Sequence, residues 1–596
     1  MNILLTAINA KYIHSNLAVY SLRACAGEYR HAVELAEYTI NNQKDYILEE
    51  LYKRKPDVLC FSCYIWNIDY VTDIAREYKK LCPSVPIWVG GPEVSYEVEA
   101  FLRENPYIDG VMIGEGEDTF RELCGYYAHK RKLSDIAGIA FRKNSTDGKA
   151  GEIVFTSPRP IKNMSEIPFC YDTLDDFSNR IIYYESSRGC PFSCSYCLSS
   201  VDKTLRFRDT EIVKRELKFF IDQKVPQIKF VDRTFNCNHA HAMELWNFIK
   251  ANDNGVTNFH FEISADLLNQ EELELISDMR PGLIQLEIGV QSTNEVTIKE
   301  IHRTMKLERL KEVVRLIQSG NNIHEHLDLI AGLPYEDYDS FGRSFDEIYE
   351  LKPNQLQLGF LKVLKGSYMF EHAAEYGIVY HDKPPYEVMS TKWLSFDDVI
   401  KIKRVEEMLE VYYNSGQFEI TMKLMECIFD SAFEFFQELG DFYEANGYFG
   451  MSHSRIRRCE ILLEFMALYL HGCDSDDMAS VGLSENDGDR DNTDFDENAQ
   501  LYSMIQESLI FDLYYRENCK SRPRWAADIG SFKHMTHAYC KNGKLSHVEP
   551  FHYIFPDKHT CKLDELPKYH KEPVWALFHY DMRDPLDHQA LVEYIE

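Results

Sequence analysis

A chain of 596 residues with 45% hydrophobic side chains is too long for one ordinary domain and apolar enough to bury several cores, which excludes a disordered protein. Its 65 Lys and Arg against 96 Asp and Glu leave a net charge of -31, which repels phosphate backbones and disfavours direct nucleic-acid binding. No run approaches the ~20 apolar residues of a membrane span and the first residues lack a signal peptide's basic start, so a cytoplasmic protein with no membrane span is expected. In that reducing setting its 16 cysteines read as free thiols and metal ligands rather than disulfides.

Residues 1–132 alternate short apolar runs with amphipathic ones. Asn2 to Ile8, Ala32 to Ile40, Asp57 to Ser62, Val85 to Gly90 and Gly110 to Ile113 read as strands, with helical patterns between them. Strands buried on both faces are continuous apolar runs, so a Rossmann-like, doubly wound parallel sheet of about five strands is predicted. Its strand ends carry small or polar residues: Asn9 with Tyr12 and His14, Ser62 to Asn67, Gly90-Gly-Pro-Glu-Val-Ser95, and Gly114-Glu-Gly-Glu117. Glycines there let backbone approach a large ligand closely. The basic run His129-Lys-Arg-Lys132 reads as solvated surface.

Residues 133–175 hold two short apolar runs, Gly138 to Phe141 and Glu152 to Thr156, around the turn-forming Asn144-Ser-Thr-Asp-Gly148, and read as a hairpin linker. From 176 to 390 strands recur at Ile181, Gln227, Asn258, Leu283, Glu325 and Gln355 with helical patterns between, which predicts a partial (βα)6 barrel of the TIM type. Along its strands one face is polar: His260, Glu262 and Ser264; Gln285, Glu287, Gly289 and Gln291; His324, His326 and Asp328; Gln355, Gln357 and Gly359. If the apolar faces meet the helices, the lumen is polar and holds a cofactor or substrate.

At the end of the first barrel strand lies Glu185-Ser-Ser-Arg-Gly-Cys190-Pro-Phe-Ser-Cys194-Ser-Tyr196-Cys197. Three thiolates can hold three irons of a four-iron cluster and leave one iron open for chemistry. The rival is a zinc knuckle completed by Cys170 or Cys237, although structural zinc sites pair two short hooks and only one is present. Residues 391–596 read as a mainly helical domain. Its first helix starts at the capping box Ser395-Phe-Asp-Asp398, and the acidic segment 474–498 is too polar to fold and reads as a flexible loop. A helix from Gln500 to Asn518 follows. The aromatic tail with eight histidines from His534 to His588 is expected to cover the barrel mouth or receive the substrate.

Sheet domain, cysteine loop and barrel together resemble the radical S-adenosylmethionine (SAM) enzymes that carry a cobalamin-binding domain, over about residues 1 to 390. The resemblance implies a [4Fe-4S] cluster on Cys190, Cys194 and Cys197 with Tyr196 beside it, and SAM on the open iron. Arg303 would pair the SAM carboxylate, Glu262 and Asp328 would hold ribose or methionine groups, and Gln291 would fix the molecule. Where the family often has a Gly-Gly-Glu turn for the SAM amino group, this chain has Phe230-Val-Asp-Arg-Thr-Phe-Asn236. Asp232 or Asn236 is expected to take that role, and Arg233 is a further anion-binding candidate. Cobalamin would lie against Asn9, Tyr12, His14, Ser62, Trp66, Gly90, Gly91, Pro92, Glu93, Gly114 and Glu115. The Asp-x-His-x-x-Gly signature is missing, so no protein ligand to cobalt is implied. The implied activity is reductive cleavage of SAM to a 5'-deoxyadenosyl radical, with methylation of an unactivated carbon as the leading expectation. Cyclisation, rearrangement or oxidation without methyl transfer, radical SAM chemistry with an empty sheet domain, and a metal-stabilised binding module are the rivals. An anaerobic setting, an external electron donor such as flavodoxin or ferredoxin, and a small-molecule, lipid or peptide substrate complete the expectation.

Overall fold

The structure is a computed structural model and describes residues 1–143, 151–201, 203–471, 493–526, 528–540, 545–555 and 566–595. The predicted turn Asn144 to Gly148 and most of the acidic segment 474–498 lie outside them. No helix among the described residues is long and apolar enough to cross a membrane.

The first sheet has five parallel strands, β1 (Ile3–Asn9), β2 (Val33–Thr39), β3 (Val58–Ser62), β4 (Ile87–Gly90) and β5 (Gly110–Met112), in the order β2-β1-β3-β4-β5. Every residue of β1 and β3 is buried, as helices on both faces require. The order reverses between β1 and β3, and a crevice opens there beyond the strands' carboxyl ends. Gly91 ends β4 at φ +126, where a Cβ would stand 2.3 Å from the Cys63 carbonyl oxygen, so only glycine fits. The segment expected as a linker instead extends this sheet: β6 (Ile139–Arg142) and β7 (Ile153–Phe155) pair antiparallel beyond β5 and cover its open edge.

The second sheet is the partial barrel, β8 (Ile182–Tyr184), then the two-residue pair β9 (Ser187–Arg188) and β10 (Arg206–Phe207) beside it, then β11 (Gln227–Phe230), β12 (Asn258–Ile263), β13 (Ile284–Gln291), β14 (His324–Ala331) and β15 (Gln355–Phe360). The six barrel strands run parallel in chain order. The predicted alternation is present: in β13 Ile284, Leu286, Ile288 and Val290 are buried against the helices while Gln285, Glu287, Gly289 and Gln291 are half-buried on the lumen side.

An incomplete barrel has two edges, and both are covered. Beside β8, Ile181 bridges to His14 of the first sheet's leading loop, donates its N–H to the Ile13 carbonyl at 2.8 Å and accepts from the Ser15 hydroxyl at 2.9 Å. Beside β15, the Asn414 amide stands in for a neighbouring strand, accepting from the Leu356 N–H at 3.0 Å and donating to its carbonyl at 2.8 Å. Asn414 ends a π-turn that continues the helix Phe396–Leu409, which starts at the predicted capping box.

After β15 the chain forms a small hairpin, β16 (Val379–Tyr380) and β17 (Val388–Ser390), and then the helical domain. That domain also contains an antiparallel sheet, β18 (Ser546–Tyr553), β19 (Tyr569–Arg583) and β20 (Ala590–Ile595). Among the described residues, the tail contacts found at the barrel are not at its mouth. The Pro585 carbonyl comes against Gly282 at the amino end of β13, and Gln589 bonds Gly416 and Glu419, so this part closes on the opposite, lower end.

Asn414→Ala leaves both backbone groups of Leu356 without a partner at a buried edge. A loss of about 1–3 kcal/mol is expected, read as a lower urea midpoint; an unchanged midpoint would show that helix packing alone holds this edge.

Candidate functional site

The cysteine loop begins at Gly189 (φ +93), where a Cβ would meet the Thr204 carbonyl oxygen at 2.5 Å. Cys190 and Cys194 are buried and Cys197 is half-buried. Burial pushes the Cys190 thiol pKa up, and its sulfur lies 3.8 Å from the Thr234 hydroxyl. Arg303 reaches the loop from the far side, with Nη1 3.8 Å from the Cys194 Sγ and 3.2 Å from the Tyr196 hydroxyl. Ser195 is clamped between two backbones, donating its N–H to the Ile301 carbonyl and accepting from the Met369 N–H, both at 2.9 Å. Among the described residues no three His, Cys, Asp or Glu side chains converge as the ligands of a single metal ion. A cluster asks for a different arrangement, one thiolate per iron.

Asp232 lies where the loop starts, and its role differs from the expected one. Fully buried, it accepts the Ser186 N–H at 2.9 Å and the Ser186 and Ser187 hydroxyls at 2.6 Å each, with the His241 Nε2 3.0 Å from Ser186 Oγ. Burial raises its pKa to about 6. Both oxygens are engaged in positioning the two residues ahead of the loop, which leaves Asp232 a poor acceptor for an amino group. Asn236 is equally engaged, bonding the Ser264 N–H and carbonyl at 3.0 and 2.9 Å.

The lumen gathers the other predicted residues from successive strands. Burial raises Glu262 to a pKa of about 7, with Arg233 at 3.9 Å as its cationic neighbour. Burial raises Asp328 too, and although His326 Nε2 is 3.2 Å from its Oδ1, neither atom is aligned for a hydrogen bond. Gln291 sits at φ +77 beside an irregularity in the β13 to β14 register, a strained backbone of the kind found at functional sites. Gln291 Oε1, Arg303 Nε and Asp328 Oδ1 are all buried without a partner. Deeper down, burial would raise Glu287, but His260 at 2.9 Å and Lys229 at 2.8 Å outweigh it and hold the carboxyl far below its usual range.

Opposite the lumen, a cavity of about 550 Å³ opens between the two sheets. Ser62, Gly90, Gly91, Pro92, Gly114 and Glu115 line it, as predicted residues of the crevice. Asn9, His14 and Trp66 line a second pocket of about 290 Å³, which shares Leu17, Tyr64 and Val231 with the first. Two expected residues fall elsewhere. Tyr12 is 65% exposed and packs under Arg180 on another surface, and Glu93 turns away to accept the Tyr386 hydroxyl. Two tyrosines join these residues: the Tyr183 hydroxyl meets His14 Nδ1 at 2.7 Å, and Tyr64, within the strand-end segment Ser62 to Asn67, stacks on Trp66 at 4.4 Å. Strand alternation marks Tyr183, and the strand-end position marks Tyr64.

Residues 3–124 match the B12 binding domain and residues 184–348 match the radical SAM superfamily. The chain therefore carries a B12-binding domain and a radical SAM domain. Its residues 374–589 match a protein family of unknown function, DUF4080. It is 28% identical over 319 residues to the cobalamin-dependent radical SAM methyltransferase TokK of Streptomyces tokunonensis, covering 50% of this chain and 45% of that one. It is 23% identical over 344 residues to the anaerobic magnesium-protoporphyrin IX monomethyl ester cyclase of Rubrivivax gelatinosus, covering 55% and 60%. The chain thus spans about half the length of these curated relatives. The solved structure of the cobalamin-dependent SAM radical enzyme OxsB with aqua-cobalamin superposes with a TM-score of 0.56 at 15% identity, over 87% of this chain and 81% of that one, which shows a shared fold.

Glu262 gives a pH signature. Its folded pKa of about 7 exceeds the ordinary 4.5, so the native state keeps a proton that the unfolded chain has lost between those values. Its stabilising contribution is full below about 4.5 and is lost as pH rises through about 7. Glu262→Gln is therefore expected to flatten the fall in thermal midpoint across that window, and an unchanged slope would reject the assignment.

Proposed function

We propose that this protein uses a [4Fe-4S] cluster, SAM and cobalamin to methylate an unactivated carbon of its substrate. The observation that carries the reading is the open three-thiol loop standing beside three buried polar atoms without partners, on Gln291, Arg303 and Asp328. A cofactor with polar groups satisfies such atoms, and the glycine-edged cavity across from them suits a large flat ligand. The donor set fits both groups.

Cys190, Cys194 and Cys197 would each hold one iron. Arg303, already turned toward Cys194, would pair a carboxylate with its free Nε edge, while Glu262, Asp328 and Gln291 would bond hydroxyl or amino groups. Ser62, Gly90, Gly91, Pro92 and Gly114 would back the corrin ligand, with Asn9, His14 and Trp66 at its flank. When bound, the cluster with SAM supplies a carbon-centred adenosyl radical and cobalamin supplies a transferable methyl group. The chain's own part is to orient these groups, hold the half-buried carboxyl of Glu262 partly protonated near neutral pH, and exclude water. An external one-electron donor completes the reaction.

A second reading, cyclisation or oxidation without methyl transfer, is favoured by the likeness to the Rubrivivax cyclase. Anaerobic reconstitution tests both. Wild type is expected to release 5'-deoxyadenosine from SAM and Cys194→Ala to release none; a fully reconstituted wild type that leaves SAM intact would refute the radical reading. With methyl-deuterated SAM, label in the product supports methylation, and turnover without label selects the second reading.

A further inference from the structure

The cysteine loop has two feet, and both rest on one carboxylate. β9 and β10 pair antiparallel with Arg188 opposite Arg206, so the segment bearing Cys190, Cys194 and Cys197 leaves and returns at this pair. Glu115, from the loop after β5 in the first sheet, accepts from Arg206 Nη2 at 2.5 Å and lies 3.3 Å from Arg188 Nη1. Arg188 also donates to Glu185 through two bonds, at 2.9 and 2.7 Å, and to Glu117 at 2.8 Å. Guanidinium forks suit such shared carboxylates, and each bond is charge-assisted.

The same side chains form a wall of the 550 Å³ cavity, which Glu115, Glu117, Glu185 and Arg188 all line. Arg188 keeps 23% of its side chain exposed and Glu115 keeps 21%, so water still reaches this network. A ligand that fills the cavity displaces that water. Coulomb attraction between charges a few ångströms apart is about four times stronger at an effective dielectric of ~20 than in bulk water.

We propose that Glu115 couples the cavity to the cysteine loop through Arg188 and Arg206: a filled cavity tightens the feet of the loop, and an assembled cluster tightens binding in the cavity. The inference rests on the cobalamin reading above. Reciprocity is required because the coupling is a binding free energy shared by two sites.

The test compares hydroxocobalamin binding to the full chain with and without its cluster, followed anaerobically by corrin absorbance. The cluster is expected to tighten binding at least about fivefold in the wild type, and bound cobalamin to slow iron loss to a chelator. Arg206→Gln, which touches neither pocket, is expected to reduce the tightening to below about twofold while cluster-free binding stays as in the wild type. Glu115→Gln is expected to remove the tightening as well, and carries the test if Arg206→Gln fails to fold. A wild type that binds cobalamin equally with and without the cluster overturns the coupling and leaves the functional reading standing. A cluster-loaded wild type that binds none overturns that reading and the coupling with it. Full coupling in the folded variants also overturns the proposal.

Discussion

A fully buried carboxylate determines where the cysteine loop begins. Asp232 gathers one backbone N–H and two hydroxyls from Ser186 and Ser187, bonds to an ionisable acceptor in a dry site. Removing it would strand three donors, each costing about 1–3 kcal/mol. From this fixed start the loop has little regular structure of its own, yet it is held at the Arg188 and Arg206 feet and at Ser195 by the Ile301 carbonyl and Met369 amide. Thiol spacing supplies the ligands, and these distant contacts supply the geometry. The alignment of Arg303, Gln291 and Asp328 around the loop depends on that anchoring, because Arg303 comes from the turn after the helix Glu295–Glu300 and the other two from β13 and β14, all far from the cysteines in sequence.

The sheet and barrel share one apolar core, in which Leu5 and Tyr20 of the first unit continue through Tyr171 and Phe177 to Ile182 and Phe220, and charged and polar pairs rim it. Arg180 binds Glu37, Arg206 and Arg188 bind Glu115, Lys162 binds Asp118, and Tyr386 donates to Glu93. The core packs as densely as any interior, and beside it Glu115, Glu117, Glu185 and Arg188 form a charged wall of the cavity. The acidic excess of the chain is consistent with this arrangement: carboxylates of the first sheet await arginines and lysines of later segments.

Much of this was legible because it is local. The two-residue period of β12 to β15 placed Glu262, Gln291 and Asp328 on the polar face, and cysteine spacing marked the loop. What escaped was set by partners far away in the chain. Asp232 looked like a strand-end ligand, but its partners lie on Ser186 and Ser187, and Glu93 is taken by Tyr386, 293 residues later. The hairpin Ile139–Phe155 looked like a linker since nothing local says that β5 has a free edge. The C-terminal sheet was hidden by Pro550, tolerated only because β18 is an edge strand, and by histidines that blur the alternation of Val548, Phe551 and Tyr553.

The buried atoms without partners bear on stability as well as on binding. Gln291 Oε1, Arg303 Nε and Asp328 Oδ1 are buried atoms without an aligned hydrogen bond, on side chains that are otherwise half-buried, at a cost of about 1–3 kcal/mol apiece. Packing could have removed them with apolar side chains at little loss, as paired polar groups elsewhere in cores are replaceable. Their retention beside a strained Gln291 means that the fold itself does not account for the site. A molecule that satisfies all three atoms stabilises the native state by the penalty it removes together with its own contacts. That penalty is therefore available for holding a ligand next to the thiols, and the surrounding apolar strand faces keep the scaffold rigid enough for that ligand to find the atoms already in place.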